Sequence, residues 1–171
     1  MIVVADSSPL HYLILIDVIQ VLPELFGQVL IPAAVLREIQ SPGTPSIVAL
    51  WISQRPSWLR MEKSSAPPAD GRLHQLGEGE REAIALAVSH GPDTLLLMDD
   101  GKGRREAERH KLRFMGTLGI LDQAASKGLI DLPSTIERLV QTNFYVTPNL
   151  LKTLLENDAR RKQSAQSPKN R

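Results

Sequence analysis

The sequence predicts an α/β protein, a three-layer α/β/α sandwich around a central parallel sheet. Three observations predict it. Short unbroken apolar runs, such as "IVVA" and "TLLLM", read as strands buried on both faces rather than on one. Helical stretches separate these runs along most of the chain, the alternation that builds a parallel sheet. Carboxylates close the runs, Asp6 after the first and Asp99 after "LLLM". Ligands of such sheets bind at the carboxyl ends of the strands.

Each element has its own warrant. "IVVA" is rich in β-branched residues and Asp6 closes it. Ser7 or Ser8 can cap the next helix, with Pro9 in its first turn, where a missing N–H costs nothing. That helix is expected to run through "LHYLILIDVIQVL". "QVLIP" reads as the second strand, and Pro32 opens a helix over "PAAVLREIQ" that "SPGTP" ends. "SIVALWISQ" is a further helix, "WLRMEK" a strand and "SSAPPAD" a loop. "GEGEREAIALAVSHG" is a helix with acids in its first turns, where the dipole favours them, and Gly91 as its stop. "TLLLM" is a strand, "GRREAERHKL" a helix, "RFMGT" a short strand, and "LGILDQAASKGLI" a helix ending near Gly128. "PSTIERLVQ" and "PNLLKTLLENDARRK" are two more helices, and no internal repeat is visible.

Composition narrows the class. A chain of 171 residues with 42% hydrophobic and 23% charged content suits one globular domain with a sizeable core. It has no cysteine, which excludes disulfides and thiolate metal sites and suits a reducing cytoplasm. No apolar stretch is long and unbroken enough to span a bilayer, so no membrane role is expected. "MIVVAD" lacks the basic region of a signal peptide. The net charge of +1 hides an asymmetry: five basic residues and no acid follow Ala159, leaving 15 basic against 19 acidic in the body. An acidic body is not a general nucleic-acid coat, so a polyanion would need cations at the contact point.

The acids form a pattern. Asp6 ends the first strand; alone it would be a turn residue or cap. Glu38 lies in the second turn of the helix that follows the second strand. Glu78, Glu80 and Glu82 open a helix whose buried face includes Ile84, Leu86, Ala87 and Val88, so the three cannot all point one way. Asp99 and Asp100 end the "LLLM" strand. Four segments thus deliver acids to one edge of one sheet. Carboxylates that close repel unless a cation neutralises them. Oxygen donors without cysteine favour Mg²⁺ or Mn²⁺ over zinc. His11, His74, His90 and His110 show no zinc spacing and read as surface or partly buried residues. A hard cation held by carboxylates suits phosphoryl chemistry, in which water attacks and no side-chain nucleophile is required.

Taken in order, "VVADSSPL", "IPAAVLREI", "LGEGEREAIALA", "LLLMDDGKGRREAE" and "FMGTLGILDQAASKGLI" resemble a PIN domain, and more narrowly the small prokaryotic PIN proteins that act as toxins in toxin–antitoxin pairs. The resemblance covers residues 2 to 132 and the helices after them. It implies a metal-dependent endoribonuclease acting on single-stranded RNA in the cytoplasm, an antitoxin protein as partner, and a homodimer. Asp6, Glu38 and Asp99 match three of the family's acids. The fourth, usually an aspartate before an alanine-rich helix, is a glutamate here; Glu80 matches best, with Glu78 and Glu82 as rivals. The resemblance makes these four catalytic and metal-binding, with Asp100 as a further metal or water-shell ligand. Ser7 is placed to bond a metal-bound water or a phosphate. Thr117 would orient a water or cap its helix. Arg104 and Arg105 would engage substrate phosphates or balance the acids.

The expected boundaries are a PIN-like domain over 1–132, a helical extension packed on it over 133–160, and a basic, disordered tail over 161–171. Two other readings compete. A receiver-like phosphoryl-transfer domain also gathers aspartates at strand ends, but it wants its acidic pair near the first strand, whereas here the pair comes later. A catalytically silent module would keep the acids and only bind RNA or protein. "GEGERE" lacks the lysine and the serine or threonine of a phosphate-binding loop.

Overall fold

The computed structural model describes residues 1–64 and 73–166. Five strands form one sheet: β1 (Ile2–Ala5), β2 (Val29–Ile31), β3 (Leu59–Met61), β4 (Thr94–Leu97) and β5 (Arg113–Met115). Their order is β3-β2-β1-β4-β5, and every pairing is parallel. The expected α/β sandwich on a parallel sheet is therefore observed. The apolar runs explain the order. β2 and β4 are buried throughout and β1 from Val3 onward, and these three lie inside the sheet; β3 and β5 are more exposed and form its edges. The β1–β4 pair runs through the core: Val3 lies beside Leu95, Val4 beside Leu96 and Ala5 beside Leu97, all of them buried.

The described residues include nine α-helices: α1 (Ser7–Leu15), α2 (Val21–Phe26), α3 (Ala33–Ile39), α4 (Ser46–Ser53), α5 (Glu78–His90), α6 (Gly101–Arg109), α7 (Thr117–Ser126), α8 (Leu132–Val140) and α9 (Pro148–Gln166). The chain divides into two compact units, Met1–Thr117 and Leu118–Arg171. The first holds the whole sheet. The second holds α8, α9 and nearly all of α7; there Asp131 caps α8 by accepting from the Ser134 N–H at 3.1 Å. Among the described residues no helix is long and apolar enough to cross a membrane.

Three expectations are corrected. The single helix expected through "LHYLILIDVIQVL" is two, α1 and α2. Asp17 adopts φ +56°, the Val18 N–H reaches back to Leu13 O at 2.9 Å, and the Asp17 N–H to Ile14 O at 3.0 Å. This paired closure normally uses glycine at the left-handed position. With Asp17 there instead, and apolar residues on both sides, the break leaves no sequence mark. The cap of α1 is Asp6, not Ser7 or Ser8, and its side chain makes no capping bond. Finally, the basic segment expected as a tail from 161 is helical as far as Gln166. Arg161 lies 2.7 Å from Asp122 and 3.3 Å from Asp158, and Lys162 lies 2.9 Å from Asp158. Residues 167–171, and most of the "SSAPPAD" loop, lie outside the described residues.

Candidate active site

The parallel ladder continues one residue past β1, where the Asp6 N–H donates to Leu97 O at 2.9 Å. Asp6 thus sits beside the end of β4, and Asp99 follows two residues after that strand. From β1 the chain builds outward to β2 and β3, whereas β4 and β5 add on the other side. The β1–β4 boundary is therefore the switch point of the sheet, where open α/β folds form a crevice.

Asp6 is 2% exposed, and its Oδ1 is buried without a hydrogen-bond partner. Burial, reinforced by the charges of Glu80 and Glu38, pushes its pKa up to about 7. The Ser7 and Ser8 amides offset part of that rise, although neither makes a regular hydrogen bond to the carboxylate.

Glu38, near the end of α3, accepts from Ser7 Oγ at 2.9 Å and from the Gly79 N–H at 2.8 Å. Gly79 makes this approach possible, since a Cβ there would collide with the Glu38 carboxylate. Glu80 accepts from the Gly77 N–H at 3.2 Å. Its pKa is raised, first by burial and then by the charge of Asp100, with Glu38 adding a smaller push. Its neighbours face elsewhere. Glu78 pairs with Arg37 at 2.8 Å, and Glu82 accepts from the Ala34 N–H at 3.0 Å. Both are thus committed to α3.

Asp99 is held from three directions. Oδ1 accepts from the Thr117 N–H at 2.8 Å; Oδ2 accepts from Thr117 Oγ1 at 2.7 Å and Ser8 Oγ at 3.0 Å. Gly116 matters here as Gly79 does for Glu38: a Cβ would run into Arg104 and stand 2.8 Å from Asp99 Oδ1. Arg104 donates Nε to Met98 O at 2.8 Å, keeps Nη2 3.7 Å from Asp99, and lies over the Phe114 ring. It is anchored at the strand end. Asp100 caps α6, its Oδ1 accepting from the Lys102 and Gly103 amides at 2.8 and 2.9 Å. Arg105 lines a cleft of about 330 Å³ with Lys102, Glu106 and Arg109.

Against this geometry, a family model described as a PIN domain matches residues 2–159. The chain belongs to the PIN-domain family. No curated protein matches it. The PIN domain is a nuclease-type fold, and its members are generally hydrolases that use divalent metal ions. In this PIN domain, Asp6, Glu38 and Glu80 lie within one another's electrostatic reach, Asp100 lies within that of Glu80, and Ser8 ties Asp99 to the same corner. The donors are all oxygens, and the orphaned Asp6 Oδ1 wants a positive partner, so the set fits a hard cation in kind. It is not a closed cage: among the described residues no three His, Cys, Asp or Glu side chains form a coordinating group. The oxygens of Glu38 and Asp99 face internal donors instead.

Several residues of the site are absent from the sequence reading. Ser8 was read only as a cap, yet it bonds Asp99, 91 positions away. Gly79 and Gly116 make room for carboxylates. For Gly79 a signal existed, because a glycine inside a first helical turn has a propensity cost that a close approach explains. For Gly116, within "RFMGT", there was none.

Proposed function

We propose that this PIN domain is an endoribonuclease that hydrolyses phosphodiesters of single-stranded RNA. Asp6, Glu38, Glu80 and Asp99 would hold Mg²⁺ or Mn²⁺, with Asp100 in support. The observation that carries the reading is Asp6: a buried carboxylate with an unbonded oxygen at the switch point, facing two other acids. Such a group is destabilising in a purely structural role and is explained by a cation that neutralises it. When bound, the cation supplies Lewis acidity to the scissile phosphate and to the attacking water.

The chain's own residues do the rest. Ser7 and the Gly79 amide fix Glu38, while Thr117 and Ser8 fix Asp99, so the acids present their oxygens from set directions. Arg104 balances the charge of Asp99, and Lys102 and Arg105 offer positive charge to a strand approaching along α6. In hydrolysis, a water oxygen bonds to phosphorus as the leaving sugar oxygen departs. We place the protein in the cytoplasm as the toxin of a toxin–antitoxin pair, working as a homodimer. The basis is the resemblance of its five ordered motifs to that branch.

A second reading, binding without cleavage, draws on the internal saturation of Glu38 and Asp99. One experiment separates the two: cleavage of labelled single-stranded RNAs in Mg²⁺, Mn²⁺ or EDTA by wild type and Asp6→Asn. Cleavage that needs metal and vanishes in the variant supports the enzyme. A folded, metal-loaded wild type that cuts nothing removes it.

A further inference from the structure

A second hollow, of about 200 Å³, opens between α1 and α3. Its walls include Ser7, Ser8, His11 and Tyr12 from α1, and Glu38 and Ile39 from α3. Two of these, Ser7 and Glu38, are bonded to each other within the acidic corner. The hollow and the acids therefore share a wall. Its character is unlike the α6 cleft. Its lining carries no lysine or arginine and includes one acid, so it offers a phosphate no fixed positive charge. It does offer two aromatic rings, a side of Ile39, and the hydroxyls of the serines and Thr44. The rings of His11 and Tyr12 stand edge to face, centroids 5.0 Å apart and planes at 80°. A flat heterocycle resting on one ring would meet the other at its edge, both favourable aromatic geometries. The volume lies below the range of drug-sized pockets, the scale of one ring system and not of a whole nucleotide.

Single-stranded RNA is read through unstacked bases laid on aromatic side chains and hydrogen-bonded at their edges. A strand whose phosphate sits at the acids must place its adjoining nucleotides against the walls of that corner. We propose that the α1–α3 hollow receives one unpaired nucleobase, next to the phosphate that a cation held by Asp6 and Glu38 would engage, and thereby sets the base preference of the protein. This rests on the ribonuclease reading for its substrate class.

The test is a cycle between side chain and base. Hexameric RNAs carry a single abasic site walked through every position. Their affinity is measured by fluorescence anisotropy in Ca²⁺ for wild type, Tyr12→Ala, Tyr12→Phe and His11→Ala, each checked for an intact melting transition. Cleavage in Mn²⁺ is scored in parallel. At one position the missing base should weaken wild-type binding about tenfold, the scale of base–aromatic stacking. Tyr12→Ala should weaken binding of intact RNA similarly, and the two losses should not multiply. Tyr12→Phe should keep the ring and the affinity. Losses that multiply at every position, or no sensitive position at all, would overturn the base site while leaving any observed cleavage untouched. The non-multiplying pattern without cleavage would keep the base site and retire the ribonuclease. If wild type binds none of the RNAs, both fall.

Discussion

A carboxylate as buried as Asp6, with one oxygen unbonded and Glu38 and Glu80 nearby, works against folding whenever it is ionised. Its folded pKa of about 7 lies above the ordinary aspartate value of 3.8. Below about pH 4 both folded and unfolded chains are protonated there, and no penalty exists. As pH rises the unfolded chain ionises first, so the penalty grows and is complete above about pH 7. Its size is on the order of a few kcal/mol. Glu80 acts in the same direction. Urea unfolding in EDTA should therefore show wild type losing stability from pH 5 to pH 8. Asp6→Asn should depend less on pH and be the more stable protein at pH 8. Adding Mn²⁺ should restore wild type far more than the variant. Gly79→Ala makes the complementary case. Its new methyl meets only the tip of the flexible Glu38 side chain, which can swing away. Cleavage should fall about tenfold or more, the scale of misplacing a positioned group, while the melting temperature moves by no more than a few degrees.

Helix ends place the site, and they differ in how far the sequence discloses them. α6 begins at Asp100, whose carboxylate satisfies two amides. Asp100→Ala should destabilise the protein by about 1 kcal/mol, whereas Asp100→Ser should retain most of that stability, measured by urea titration. If cleavage survives in Asp100→Ser, the residue serves its helix more than a cation. The strands were legible because buried parallel strands are continuous apolar runs, and the closing acids stand out against them. "LGEGERE" marks Glu78, Glu80 and Glu82 as candidates, but what occupies Glu78 and Glu82 was not legible there: Arg37 and the Ala34 amide sit on another helix, more than 40 positions earlier. The end of α1 was hidden because Asp17 fills a position usually held by glycine. Long-range partnerships such as Ser8 with Asp99 leave no local periodicity, so no reading of one segment contains them.

At the scale of the chain, charge is sorted by unit. Three cations of α9, Lys152, Arg161 and Lys162, have acid partners within their own unit, whereas Arg160 bonds the Glu156 carbonyl and the Asn157 amide oxygen. Arg161 and Lys162 share Asp158, itself 2% exposed, and reach Asp122 and Asp131 as well. Arg161→Ala should cost about 1 kcal/mol in thermal or urea unfolding, because Asp158 loses one of two charged partners. Affinity for single-stranded RNA should stay within about twofold at fixed salt, since a cation already paired releases few counterions. The sheet order carries a further consequence for how the protein comes into being. β1 is made before the other four strands of the sheet, yet its partner on one side is β4, with Ile2 waiting for Thr94. Asp6 emerges early and meets Asp99 only after most of the first unit has been made, and Thr117, which holds Asp99, arrives later still. A nascent chain therefore carries its acids scattered along an unfinished polymer. The acidic corner cannot be assembled until translation has passed Thr117, long after its first acid is made.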